Sequence, residues 1–118
     1  MMSPAPGRQP VWVPNTNVFI SDSGHLIVQI ELSSVRSDDL EITVEGSRLR
    51  IAGNRHNSAF DKARTILVHE MHTGPFESVL EVPAEYALGQ AKANYLNGVL
   101  SIVVPKEDSP PPPIITFG

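Results

Sequence analysis

The sequence predicts an all-β chain folded as an antiparallel β-sandwich, and three observations carry that reading. Short runs alternate apolar and polar residues with a period of two, so each run has one apolar face to bury. No stretch keeps a helical period beyond two turns. Asn97-Gly98, the strongest short turn signal in the chain, suits a tight hairpin because both residues tolerate a positive φ.

Taken in order, the first clean run is His25 to Leu32. Leu26, Val28, Ile30 and Leu32 face one way, and His25, Gln29 and Glu31 the other. Ser21-Asp22-Ser23-Gly24 before it is turn chemistry, and Ser37-Asp38-Asp39 after it starts a single helical turn at most. Leu40, Ile42 and Val44 then alternate with Glu41, Thr43 and Glu45. A short connection at Glu45-Gly46-Ser47 leads into Arg48-Leu49-Arg50-Ile51, completing a hairpin. Phe76, Leu80 and Val82 share one face with Ser78 among them, and Leu100, Ile102 and Val104 close the series against outward Val99, Ser101 and Val103. Stacked sheets are the way such one-sided strands hide their apolar faces.

Residues 54–74 break the meander, being too long for a hairpin loop. Asn54 to Ala63 is polar, whereas Arg64-Thr65-Ile66-Leu67-Val68-His69-Glu70-Met71 has the β-branched, apolar character of a strand. Two outcomes fit this pattern. The strand is carried on its loop to the sheet edge of a second copy, or it folds back as an edge strand of its own sandwich.

Composition narrows the function. A chain of 118 residues fits one domain, and 41% hydrophobic with 19% charged residues suits a folded core. Lys plus Arg is 9 against 13 Asp plus Glu, a net charge of −4, so nucleic acid and anionic membranes are not expected partners. The absence of cysteine excludes disulfides, thiolate metal sites and cysteine nucleophiles, and is compatible with a reducing cytoplasm. No apolar run reaches the ~18 residues of a membrane span, and Met1 to Pro10 lacks a signal peptide's apolar segment. A soluble cytoplasmic protein is expected.

No constellation supports catalysis. His69-Glu70-Met71-His72 is one residue short of the zinc-protease spacing, and on a strand its two histidines fall on opposite faces. No phosphate loop or nucleophile elbow is present. The expectation is therefore no enzyme, no catalytic residue, no metal and no cofactor. The tail speaks more clearly. Pro110 to Pro113 precede Ile114-Ile115-Thr116-Phe117-Gly118, and a polyproline path from Pro105 to Ile114 projects those apolar side chains ~28 Å from the body. Ile115 and Phe117 point the same way in an extended segment, as do Ile114 and Thr116, and either pair could seat in an apolar groove.

Ala93-Asn94-Tyr95-Leu96-Asn97-Gly98-Val99-Leu100, followed by Val104-Pro105-Lys106, resembles the α-crystallin domain of small heat-shock proteins, whose signature reads A-x-x-x-N-G-V-L and then a strand ending in P-K. Gly53-x-Arg55, Gly74-Pro75-Phe76 with Val82-Pro83, Gln29-Ile30-Glu31-Leu32 and Trp12-Val13-Pro14 with Asn17-Val18 are similar to further family stretches in the same order. The likeness covers about Trp12 to Lys106.

The resemblance implies an immunoglobulin-like sandwich and a chaperone that holds partly unfolded clients without ATP. It divides the chain into a short arm at 1–15, an α-crystallin domain at 16–106 and a C-terminal extension at 107–118. It implies a self-pairing homodimer of the bacterial and plant type, or a higher oligomer. The exchanged strand is then Arg64, Ile66, Leu67, Val68 and Glu70. A groove lined by Leu40, Ile42 and Val44 on one side and Ala91 and Ala93 on the other takes a tail bearing Ile114, Ile115 and Phe117. Val11, Trp12 and Val13 are the arm's apolar groups for clients. Ser33-Ser34 replaces the family's usual Pro-Gly turn, Ser78 replaces a common Arg, and Ala91 replaces a larger aliphatic, which widens the groove toward a plug such as Phe117. The alternative is a CS-type β-sandwich adaptor that docks on a folded ATP-driven chaperone and needs neither exchanged loop nor apolar tail.

Overall fold

The computed structural model describes residues 11–107. Seven strands run in chain order: β1 (Thr16–Ile20), β2 (Leu26–Glu31), β3 (Leu40–Glu45), β4 (Arg48–Arg55), β5 (Gly74–Glu81), β6 (Lys92–Leu96) and β7 (Val99–Val104). They form a four-stranded sheet in the order β1-β2-β7-β6 and a three-stranded sheet in the order β3-β4-β5, antiparallel throughout. This is the expected β-sandwich.

Alternation explains the core. Leu26, Val28, Ile30 and Leu32 meet Leu100, Ile102 and Val104 on the inner face of the larger sheet, facing Leu49, Ile51 and Phe76 of the smaller. Ser78 is buried opposite Ile51, as its phase requires. Val103 does face away from the core, but it is buried rather than solvent-exposed. It lies in one row with Phe19, Ile27 and Lys92, and central strands wall in their outward side chains as well as their inward ones.

The turns follow their residues. Asn97 (φ 52°) and Gly98 (φ 78°) make the β6–β7 hairpin turn, and Leu32 N–H donates to Gly98 O at 2.7 Å. Ser37–Asp39 is one 3-10 turn. Gly53 is required by crowding: a Cβ there would lie 2.2 Å from Asp39 O and 2.6 Å from the Phe76 ring.

Two elements were not anticipated as strands. β1 shows three consecutive apolar residues, Val18-Phe19-Ile20, rather than alternation, and in the short β6 only Ala93 and Tyr95 alternate with Lys92 and Asn94. A single helical turn, α1 (Ser58–Asp61), also forms inside the long loop, where Asn57 Oδ1 accepts from Phe60 N–H at 3.1 Å.

Residues 64–71 join neither sheet, so the fold-back alternative is not what the chain adopts. The reason is in the loop's own contacts. α1 packs the Phe60 ring on His69 (centroids 4.6 Å apart), and Arg55 Nη1–H donates to His72 O at 3.3 Å, which fixes the loop's base and leaves its middle projecting.

Candidate functional site

Trp12, one of the three arm residues expected to meet clients, packs on the domain. Its N–H donates to Pro75 O (3.2 Å), and its carbonyl accepts from Glu77 N–H (3.1 Å), making an isolated parallel bridge to β5. Its indole Nε1–H donates to Gly74 O at 3.2 Å. The ring stacks on His72 (5.4 Å, 16°), tilts against Phe76 (5.3 Å) and carries the Arg55 guanidinium 4.5 Å from its centroid. Val11 and Val13 on either side are exposed.

From this bridge the chain crosses to the larger sheet, where Glu31 N–H donates to Asn15 O at 3.0 Å. The β5 and β1 edges therefore share one side of the sandwich. The β3 and β6 edges share the other.

On that second side lie the residues expected to line a groove. Cross-strand partners share a face, and Ile42 opposes Ile51 while Val44 opposes Leu49, both core residues. Leu40, Ile42 and Val44 thus point into the space between the sheets. Being on an edge strand, Ile42 and Val44 stay 37% and 46% exposed. Ala93 opposes core Ile102 by the same rule and is exposed, while half-buried Ala91 and Leu40 pack against the core. The five groove residues expected from the sequence therefore line two open edges. The floor includes Tyr95, which the sequence reading did not single out. Its hydroxyl donates to one of the Leu32 and Val35 carbonyls, at 2.5 and 2.7 Å, pinning the Ser33-Ser34 turn, where Ser34 has φ 67°.

On the first side, the outer edge of β1 has no ladder partner among the described residues, and Val18, Phe19 and Ile20 are exposed along it. Arg64, Ile66, Leu67, Val68 and Glu70 are all exposed in the projecting loop, Leu67 to 90%. The structure thus holds a strand-like segment without an edge and an edge without a strand. The tail residues Ile114, Ile115 and Phe117 lie outside the described residues.

The outer face of the smaller sheet is held by charge. Arg48 Nε–H donates to Glu81 Oε1 (2.7 Å), and Arg50 Nε–H to Glu77 Oε2 (2.8 Å), with Glu41 3.8 Å from Arg50. The Arg48 hydrogen bond, helped by one from Ser47, holds the Glu81 carboxyl below its ordinary range, and Glu81 raises Arg48 in turn. Both side chains are exposed, so this pair orders β4 against β5 more than it stabilises the domain. Among the described residues no group of three His, Asp or Glu is placed to hold a metal ion, and no helix is long and apolar enough to cross a membrane.

Two antiparallel sheets packed face to face, with apolar residues left exposed on their edges, define the domain. A family model described as Hsp20/alpha crystallin family matches residues 19–115, and the chain belongs to that family. Small heat shock protein C2 of Rickettsia felis is 26% identical over 81% of this chain and 62% of its own length. The 18.3 kDa class I heat shock protein of Oxybasis rubra is 32% identical over 75% of this chain and 55% of its own length. The chain thus spans a little over half of these relatives. The crystal structure of a small heat-shock protein from Xylella fastidiosa superposes with a TM-score of 0.75 at 23% identity, covering 92% of this chain and 99% of that one, and shares its fold.

Proposed function

We propose that the protein is an ATP-independent holdase that binds exposed apolar segments of partly unfolded proteins and keeps them from aggregating. Family membership fits a chaperone role. The observation that carries the reading is apolar surface left on open edges: Val18, Phe19 and Ile20 on β1, and Ile42 and Val44 beside the groove. No bond is made or broken in this mechanism.

In this reading, residues 64–71 of one copy pair with the β1 edge of its twin, an exchange supported by the complementarity of segment and edge. The tail docks through two of Ile114, Ile115 and Phe117 into a neighbour's groove between Leu40, Ile42, Val44 and Ala91, Ala93. Two buried side chains supply roughly 3–6 kcal/mol before association costs, so a single docking is weak and only repetition holds a larger assembly.

The protein should suppress heat aggregation of a model client with no nucleotide present; a requirement for ATP would refute the reading. Deleting Pro110 to Gly118 should shrink any species larger than a dimer in light scattering, and an unchanged size would refute tail docking.

A further inference from the structure

The free edge of β5 carries more than the arm uses. Glu77 N–H donates outward to Trp12, so by strand alternation Val79 and Glu81 also direct their N–H and C=O groups away from β4. None of these has a ladder partner among the described residues. Among the described residues the arm pairs at Trp12 alone. Bonding residues alternate along a strand, so the next positions are 10 and 14, and both are proline, which can accept but not donate.

The slot around Trp12 is likewise incompletely used. Beside the indole opens a cavity of about 240 Å³, reaching Arg55, Glu31 and Met71. The Arg55 Nε is buried without a hydrogen-bond partner among the described residues. Phe76 lies buried beneath the indole.

We propose that the β5 edge is a β-augmentation site for extended, proline-free apolar segments of unfolded polypeptide, and that Val11-Trp12-Val13 is its displaceable intramolecular occupant. An incoming strand would pair along Glu77, Val79 and Glu81, where the arm pairs at one residue. An aromatic side chain of the incoming segment takes the slot between His72, Phe76 and Arg55. The displaced arm then adds Trp12 to exposed Val11 and Val13 as further apolar surface. Charge on Glu77 and Glu81 and the proline-limited arm together keep the edge from pairing indiscriminately in the resting protein. This site rests on the holdase reading and gives it a location.

Trp12 is the only tryptophan in the chain, so its emission reports the slot directly. The full-length protein is titrated with a blocked, tryptophan-free peptide Ser-Val-Phe-Val-Thr-Val-Ser, and separately with the same peptide carrying proline in place of its first serine and its threonine, the positions two residues either side of the phenylalanine. The first should shift Trp12 emission to the red saturably, and the second should not. Val79→Pro removes an outward N–H from an edge strand without touching the β4 ladder, and should weaken the first peptide about tenfold or more. Hydrogen exchange on the unaltered protein gives a second readout that does not depend on the variant's folding, with the Val79 and Glu81 amides gaining protection when peptide binds. Binding with Trp12 emission unmoved and those amides unprotected would overturn the proposal, as would absence of binding. If client aggregation is still suppressed in that case, the holdase reading stands and this site alone falls.

Discussion

Ile66 and Val68 share one face of the projecting segment and are 52% and 72% exposed. Fully burying such a side chain contributes roughly 1.5–3 kcal/mol. Pairing with a twin would add only the part still exposed, about 1–2 kcal/mol each. A symmetric exchange buries both segments, so replacing both residues by serine removes about 4–8 kcal/mol from the dimer, at least a thousandfold in its dissociation constant. The single chain should hardly notice, because exposed substitutions change stability by about 0.5 kcal/mol or less. The assay is sedimentation velocity of the Ile66→Ser, Val68→Ser double variant over a concentration series, beside its urea unfolding curve. A monomer with the monomeric chain's stability unchanged is expected. A dimer of unaltered affinity would refute the exchange and with it the reasoning from unpaired edges.

Three further outcomes follow from particular contacts. Gly53→Ala should cost about 2 kcal/mol or more in urea unfolding, because backbone at Asp39 and the buried Phe76 ring must both move. Tyr95→Phe should cost about 1 kcal/mol, since the hydroxyl proton held at the Leu32 and Val35 carbonyls is lost while Leu32 O still accepts from Val35 N–H. Glu81 has its folded-state carboxyl lowered by Arg48, so its contribution is present above the ordinary glutamate range near about 4.3 and is lost as pH falls through the lowered value. The stability gap between the unaltered protein and Glu81→Gln should therefore close on acidification; a gap that widens would contradict that sign.

The sandwich was legible wherever successive side chains alternate between the inter-sheet space and the outer face, as in Leu26 to Leu32 and Leu40 to Val44. That alternation is the backbone's own period, and the apolar residues follow it even where an edge strand leaves Ile42 and Val44 exposed. β1 and β6 were harder to read because each is only five residues long, and in β1 Val18, Phe19 and Ile20 are apolar in succession. The helical turn at Ser58–Asp61 left one faint signal, Asn57 in the capping position. The packing of Trp12 was not legible because its partners, Gly74 and Phe76, lie more than sixty residues along the chain. Local pattern carries no record of such a meeting. The segment at 64–71 is the instructive case, since its strand character was legible while no pairing among the described residues satisfies it.

The anchored base of that loop bears on how many copies can combine. A segment lent from a slack hinge can be handed onward from one copy to the next, and such a series grows into a fibre without a natural end. Here Arg55 and the stacked indole fix the direction in which the loan is offered. Under the proposed exchange a fixed direction favours a return loan between the same two molecules, and the series terminates at once. Anything larger would then be counted in twos.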